Sequence, residues 1–144
     1  MSPRGILETV VYAPDLEAAE RFYAGVLGLA VVSREAGRYV FFRCGAGVFL
    51  VFNPESTARD VVRVGDSFIP RHGATGPGHA AFRVAESEVA SWRDRLARAG
   101  VAIESEIQWP GGGHSLYVRD PAGNSIELAT AALWGLPEPT DDAE

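Results

Sequence analysis

The sequence predicts an α+β fold made of two βαβββ modules, and three observations predict it. Glu8-Thr9-Val10-Val11-Tyr12 opens a strand that runs into Asp15-Leu16, a helix and Gly28. His79-Ala80-Ala81-Phe82-Arg83 does the same, running into Glu86-Ser87, a helix and Gly100. In each half, three short β-rich segments divided by glycine turns follow the helix, so the two halves repeat one plan.

Residues 5–52 form the first predicted module. Residues 6–13 are β-branched and apolar, and strand alternation puts Glu8, Val10 and Tyr12 on one face and Leu7, Thr9 and Val11 on the other. Asp15 is a natural N-cap after Pro14. Leu16, Ala19, Phe22, Tyr23, Val26 and Leu27 recur at helical spacing, and Gly28 can close the helix in a left-handed cap. Strands are expected at 29–34, 38–44 and 47–52, with turns at Gly37 and at Gly45-Ala46-Gly47. Residues 53–77 show no sustained period and read as a connecting loop, a linker or lid.

The second module, 78–131, restarts the pattern. His79, Ala81 and Arg83 alternate with Ala80, Phe82 and Val84. Glu86 or Ser87 is expected to cap a helix whose stripe is Val89, Trp92, Leu96 and Ala99, ended by Gly100. Strands are expected at 101–107, 114–119 and 124–130, with Asp120-Pro121-Ala122-Gly123-Asn124 as a tight turn before the last. Residues 132–144 are a Pro-rich, acidic tail expected to cover an edge and fray. Aligning Gly45-Ala46-Gly47 with Pro121-Ala122-Gly123 completes the repeat. Each module has a helix on one sheet face and a second face left open. Two modules edge to edge would form a curved eight-stranded sheet with a concave cup.

Composition narrows the function classes. In 144 residues, 47% are hydrophobic and 22% charged, an ordinary globular balance. The net charge of -6, with no basic cluster, gives no footprint for nucleic acid. No apolar run is long enough to span a bilayer, so no membrane partner is expected. Met1-Ser2-Pro3-Arg4 leads straight into a strand, which predicts no signal peptide. The single cysteine, Cys44, excludes an internal disulfide and fits a cytoplasmic setting; beside Gly45 it reads as structural.

Strand parity then locates chemistry. Leu7, Val11, Phe82 and Val84 suit the helix-packed sides, so Glu8 and His79 face the cup. Leu116 and Val118 suit the core, which turns Ser115, Tyr117 and Arg119 inward, and Ile126 with Leu128 turns Glu127 inward. Two carboxylates in a partly apolar cup would raise each other's pKa and suffer desolvation. A divalent metal removes both penalties and uses the neutral imidazole of His79. One His with two carboxylates suits Mn, Fe, Ni, Co, Zn or Mg without selecting among them. Singly, a strand His or Glu is most often a solvated or satisfied polar residue; here three share one predicted face.

These residues also resemble a known family. Ala13-Pro14-Asp15-Leu16-Glu17-Ala18-Ala19-Glu20-Arg21-Phe22-Tyr23-Ala24-Gly25-Val26-Leu27-Gly28-Leu29 resembles the opening of the vicinal oxygen chelate superfamily. Tyr117-Val118-Arg119-Asp120-Pro121-Ala122-Gly123-Asn124-Ser125-Ile126-Glu127-Leu128 resembles its closing motif. The group includes glyoxalase I, extradiol dioxygenases and bleomycin-resistance proteins. The resemblance implies metal ligands at Glu8, where most relatives have His, and at His79 and Glu127. It implies a fourth ligand, in glyoxalase I, at the position of Phe49 or Val51. Both are apolar, which counts against a site with four protein ligands. The implied chemistry is bidentate chelation of a small oxygen-bearing molecule, as in a lyase, isomerase or dioxygenase. Val10, Tyr39, Phe41, Phe49 and Val51 would then wall the substrate cavity, with Arg83, Ser115 and Tyr117 adding polar groups. Tyr12 or Tyr117 is placed to orient or protonate a substrate oxygen, although either also suits the core. Of two Gly-flanked histidines, His72 and His114, the second is the preferred catalytic candidate. The Gly111-Gly112-Gly113 run has none of the strand-to-helix context of a phosphate loop. The resemblance also implies a homodimer. A metal-independent protein that binds an antibiotic or other small molecule is the alternative.

Overall fold

A computed structural model describes residues 1–138. The part of the predicted tail at 139–144 lies outside the described residues. The chain divides into two compact units, Met1–Gly78 and His79–Glu144.

In the first unit, β1 (Glu8–Tyr12) leads into α1 (Leu16–Glu20), which continues as a π-helical turn over Arg21–Val26. Asp15 Oδ1 accepts from the Ala18 N–H at 2.9 Å and caps α1 as its sequence position predicts. The π-helical turn ends at Gly28, whose φ of 81° only a glycine takes without strain. Three strands follow, β2 (Ala30–Glu35), β3 (Tyr39–Cys44) and β4 (Gly47–Phe52). The sheet order is β1-β4-β3-β2, with β1 parallel to β4 and the other pairs antiparallel. The helical segment buries Tyr23, at 0% exposure, against Phe42 and Phe49, with ring centroids 5.7 and 4.8 Å away. Val11, Phe42, Phe49 and Val51 therefore form the helix-covered face.

Within the stretch read as a loop, 53–77, residues 54–69 hold a helix and a hairpin, while 70–77 carry no helix or strand. Asn53 caps α2 (Pro54–Arg59) by accepting from the Glu55 N–H, with Pro54 in the first turn. β5 (Val62–Val64) and β6 (Ser67–Ile69) then form a hairpin. Three-residue strands are too short to show a period, so the sequence pattern could not reveal them.

In the second unit, β7 (His79–Val84) leads through a 3₁₀ turn, Glu86–Glu88, into α3 (Val89–Arg98). The N-terminus is capped differently from expectation: Glu88 reaches back to accept from the Ala85 N–H at 3.1 Å. β8 (Ser105–Gln108), β9 (His114–Arg119) and β10 (Ser125–Thr130) complete a sheet of order β7-β10-β9-β8, again with its parallel pair first. A 3₁₀ turn at Ala131–Trp134 follows. Arg93 of α3 holds Glu106 of β8 in a bidentate pair, which places α3 on the face of Glu106, His114, Leu116 and Val118. Each unit is thus one βαβββ module with one helix-covered face and one helix-free face.

Candidate functional site

The helix-free face of the second unit carries His79, Ala81 and Arg83 from β7 and Ser125, Glu127 and Ala129 from β10. Ser115, Tyr117 and Arg119 of β9 share it. Glu127 pairs in register with Ala81 on one side and Tyr117 on the other, at the sheet centre, and is only 5% exposed. A buried carboxylate needs partners. Ser115 Oγ–H donates to its Oε1 at 2.5 Å, and Trp109 Nε1–H donates to Ser115 Oγ at 2.9 Å. His79 Nε2 stands 3.4 Å from Glu127 Oε2. The other ring nitrogen, Nδ1, lies 3.0 Å from the Ser125 carbonyl oxygen. A carbonyl only accepts, so Nδ1 carries the proton, and in the neutral ring the Nε2 lone pair points toward Glu127. Tyr117 lies alongside, its ring roughly parallel to that of His79 at 6.4 Å. Burial first, then its hydrogen bond to Glu127, raises the Tyr117 pKa and keeps the phenol protonated.

This arrangement fits a divalent cation. Ser115 holds Oε1 of Glu127 while Oε2 faces His79 Nε2, and His79 is held in turn through Nδ1. Such outer hydrogen bonds commonly fix the ligands of a metal. Within either unit, no third His, Cys, Asp or Glu joins them among the described residues. Glu8 is the first residue of β1 in the first unit, the position His79 takes in β7, and its side chain is exposed.

The helix-free face of the first unit is aromatic. Register places Glu8, Val10 and Tyr12 of β1 with Val48, Leu50 and Phe52 of β4 and with Tyr39, Phe41 and Arg43 of β3. Tyr39 and Phe41 stack at 4.0 Å with an interplanar angle of 14°. Phe52 meets both edge-on, at 6.0 and 5.1 Å.

Three predicted positions need correction. Phe49 and Val51 do not share this face; they are buried under the helix, against Tyr23 in the case of Phe49. The residue that matches Glu127 in register is Leu50, because Val48 pairs with Glu8 as Ser125 pairs with His79. His114 is also on the opposite face from the one expected. It opens β9, is 4% exposed, and binds Glu106 Oε1 through Nε2 at 2.6 Å, away from Ser115 and Tyr117. The adjacent glycine run serves packing: a Cβ on Gly113, at φ 98°, would sit 2.5 Å from the Leu133 nitrogen.

Sequence reasoning missed Trp109 and Leu50. Continuing the alternation of β8, in which Ile107 pairs with Ser115, would have put Trp109 on the Ser115 side.

Comparison with known proteins agrees with this architecture. The family model for the Glyoxalase/Bleomycin resistance protein/Dioxygenase superfamily matches residues 5–128. A crystal structure of lactoylglutathione lyase from Agrobacterium tumefaciens is 42% identical, covering 94% of this chain and 100% of that one, with a TM-score of 0.87. A glyoxalase-related enzyme from Fulvimarina pelagi is 27% identical, covering 89% of this chain and 88% of that one, with a TM-score of 0.65. A glyoxalase/bleomycin resistance protein/dioxygenase from Nocardioides shares the fold at 21% identity, covering 97% and 91% of the two chains, with a TM-score of 0.69. No curated protein matches the chain. No helix among the described residues is long and apolar enough to cross a membrane. With a family match over most of its length and both βαβββ modules in place, the chain belongs to the Glyoxalase/Bleomycin resistance protein/Dioxygenase superfamily, the vicinal oxygen chelate superfamily.

Proposed function

We propose that the chain is a divalent-metal-dependent enzyme that acts on a small molecule carrying two neighbouring oxygens. The observation that carries this reading is the pair His79 Nε2 and Glu127 Oε2, 3.4 Å apart, each held from behind by a hydrogen bond. Glu8 is proposed as the ligand from the first unit, by its equivalence to His79 in the repeat. A bound divalent cation supplies Lewis acidity toward the substrate oxygens. The chain's own residues do the rest. Trp109 and Ser115 hold Glu127, the Ser125 carbonyl holds His79, and the protonated Tyr117 phenol is a donor for a substrate oxygen. Arg83, on the same face as His79, adds a positive charge for an anionic end. Catalysis is assigned to Tyr117 rather than His114.

The Agrobacterium relative makes S-lactoylglutathione the first compound to test. Leu50, at the place in the first unit that Glu127 takes in the second, cannot ligate, so the ligand set proposed is Glu8, His79 and Glu127 without a fourth side chain. The test is elemental analysis of purified protein with a substrate screen in Mn, Fe, Ni, Co, Zn and Mg. One equivalent of metal per chain, lost with activity in Glu127→Ala, supports the proposal. Protein that takes up none of these metals overturns it. A homodimer is proposed on the family resemblance, and sedimentation would decide it. The aromatic face of the first unit favours one second reading, a metal-independent binder of an aromatic ligand, which chelators would leave intact.

A further inference from the structure

The first unit holds a polar pair that the proposed metal centre does not use. His72 lies after β6, and its backbone N–H donates to the Thr57 carbonyl at 3.2 Å. Its ring stands edge-on to Phe52, with centroids 4.9 Å apart at 79°. Phe52 continues into the stacked Tyr39 and Phe41, so His72 ends an aromatic wall on the helix-free face. Tyr12 Oη and His72 Nδ1 are 2.7 Å apart. A phenol O–H is a stronger donor than an imidazole N–H, and an imidazole nitrogen a stronger acceptor than a phenol oxygen, so the favoured direction is from Tyr12 Oη–H to Nδ1. An Nδ1 that accepts puts the ring proton on Nε2. That Nε2–H has no partner among the described residues.

We propose that His72 is a specificity-determining residue, whose Nε2–H donates to the keto or carboxylate oxygen beside the ring of an aromatic substrate lying against Phe52 and Phe41. Tyr12 is its positioning residue, fixing the tautomer and the direction of the N–H. The substrate class is an aryl keto acid or a similar ring-bearing oxyanion. The wall favours a flat ring through edge and stacking contacts, and a charged acceptor strengthens the hydrogen bond. This deepens the proposed function and rests on it for the chemistry, but the recognition itself needs no metal.

The experiment is calorimetric titration of chelator-treated protein with phenylglyoxylate and with pyruvate, which has the same oxygens and no ring. Phenylglyoxylate should bind at least about tenfold tighter, and Phe52→Leu should remove most of that preference. His72→Phe keeps an aromatic ring and loses the donor; it should weaken phenylglyoxylate about tenfold or more. His72→Gln restores an N–H and should recover most of the loss, which a merely structural role would not do. Nitrogen-15 shifts of the His72 ring should report the Nε2–H tautomer in the wild type and a mixture in Tyr12→Phe. Equal binding of the two acids, or no effect of His72→Phe, overturns the proposal even if the protein holds metal and is active. Ring-selective binding in a protein that takes up no metal upholds it while the metal reading falls.

Discussion

β1 and β7 occupy the same place in the same module, and the faces they share differ in kind. Around Glu8 stand Val10, Leu50, Phe41 and Phe52; around His79 stand Glu127, Ser115 and Tyr117. One module offers the exposed carboxylate of Glu8 on an aromatic wall. The other offers a buried carboxylate wired through Ser115 to Trp109. The difference teaches how a repeat specialises. Strand order, parallel pairing and the helix-covered core are common to both units, and the residues that alternate away from that core are free to diverge, into an aromatic wall in one unit and a set of polar groups in the other.

The comparison breaks first at Glu127. Glu127→Ala removes one member of the only close His–carboxylate pair on a helix-free face among the described residues. Metal retention and turnover should both fall by more than the roughly 10–100-fold that loss of an outer hydrogen-bonding group costs. Metal content and kcat/KM check it, and Leu50→Ala in the first unit should leave metal content unchanged. A Glu127→Ala protein that keeps its metal would show that the polarity of the second unit serves folding rather than ligation.

The next contrast is between the two β-hairpin turns. Gly45-Ala46 closes the first tightly, with Cys44 paired to Gly47. The second turn is one residue longer, because Arg119 pairs with Ser125 where Arg43 pairs with Val48. Asp120 shapes it: Oδ1 accepts from the Ala122 and Asn124 N–H groups, and Oδ2 from the Asn124 side-chain amide. Asp120 is 4% exposed, so Asp120→Ala removes the acceptor of three hydrogen bonds, two of them buried, at a cost of about 3 kcal/mol. For a chain of this size, that lowers Tm by roughly 6–12 °C. An equally intrusive change in the first turn, Ala46→Ser, should be near neutral.

That extra residue also explains what the sequence could and could not disclose. The plan of both modules, the caps at Asp15 and Gly28, and the parity of Glu8, His79, Ser115 and Glu127 were legible, because alternation and turn residues record them locally. Matching the glycines of the two turns hid the length difference. A one-residue slip moves every side chain to the other face, so Phe49 and Val51 were read as cavity wall when Leu50 holds that place. Phe49 and Leu50 are equally apolar, so hydropathy could not flag the error. His114 misled for a related reason: glycines suggested an exposed loop, while its hydrogen bond to Glu106 of the neighbouring strand makes it a buried, paired residue. His72 and Tyr12 are far apart in sequence, and nothing local records their contact.

Support for the buried carboxylate should be worth less than the carboxylate itself. Ser115→Ala removes the donor to Glu127 Oε1 and the acceptor for Trp109 Nε1–H. Metal affinity should drop about 10–100-fold with the ligands intact. Competition with a chelator of known affinity measures it. Ser33→Ala, on the helix-free face of the first unit, should change affinity by less than about threefold.

The smallest effect belongs to the helix-covered face of the second unit, where the helix-to-strand ion pair gains a histidine partner that its counterpart in the first, Glu20 with Arg34, lacks. Glu106 sits between Arg93 of α3 and His114 of β9. Hydrogen bonds from Arg93, and next from His114, hold its carboxyl at about 2, below the usual carboxylate range. Because the folded pKa lies below the unfolded one, the stabilisation is complete above the unfolded pKa of about 4.3. It fades as the pH falls through about 2. Glu106→Gln should therefore lower Tm modestly at pH 7, with the difference shrinking from about pH 4 downward and vanishing only below about pH 2, so that the two melting curves converge as acid is added. The exposed position of the group keeps the effect small, as for most surface ion pairs. If the wild type and Glu106→Gln stay parallel down to pH 2, the clasp from α3 to β8 contributes nothing.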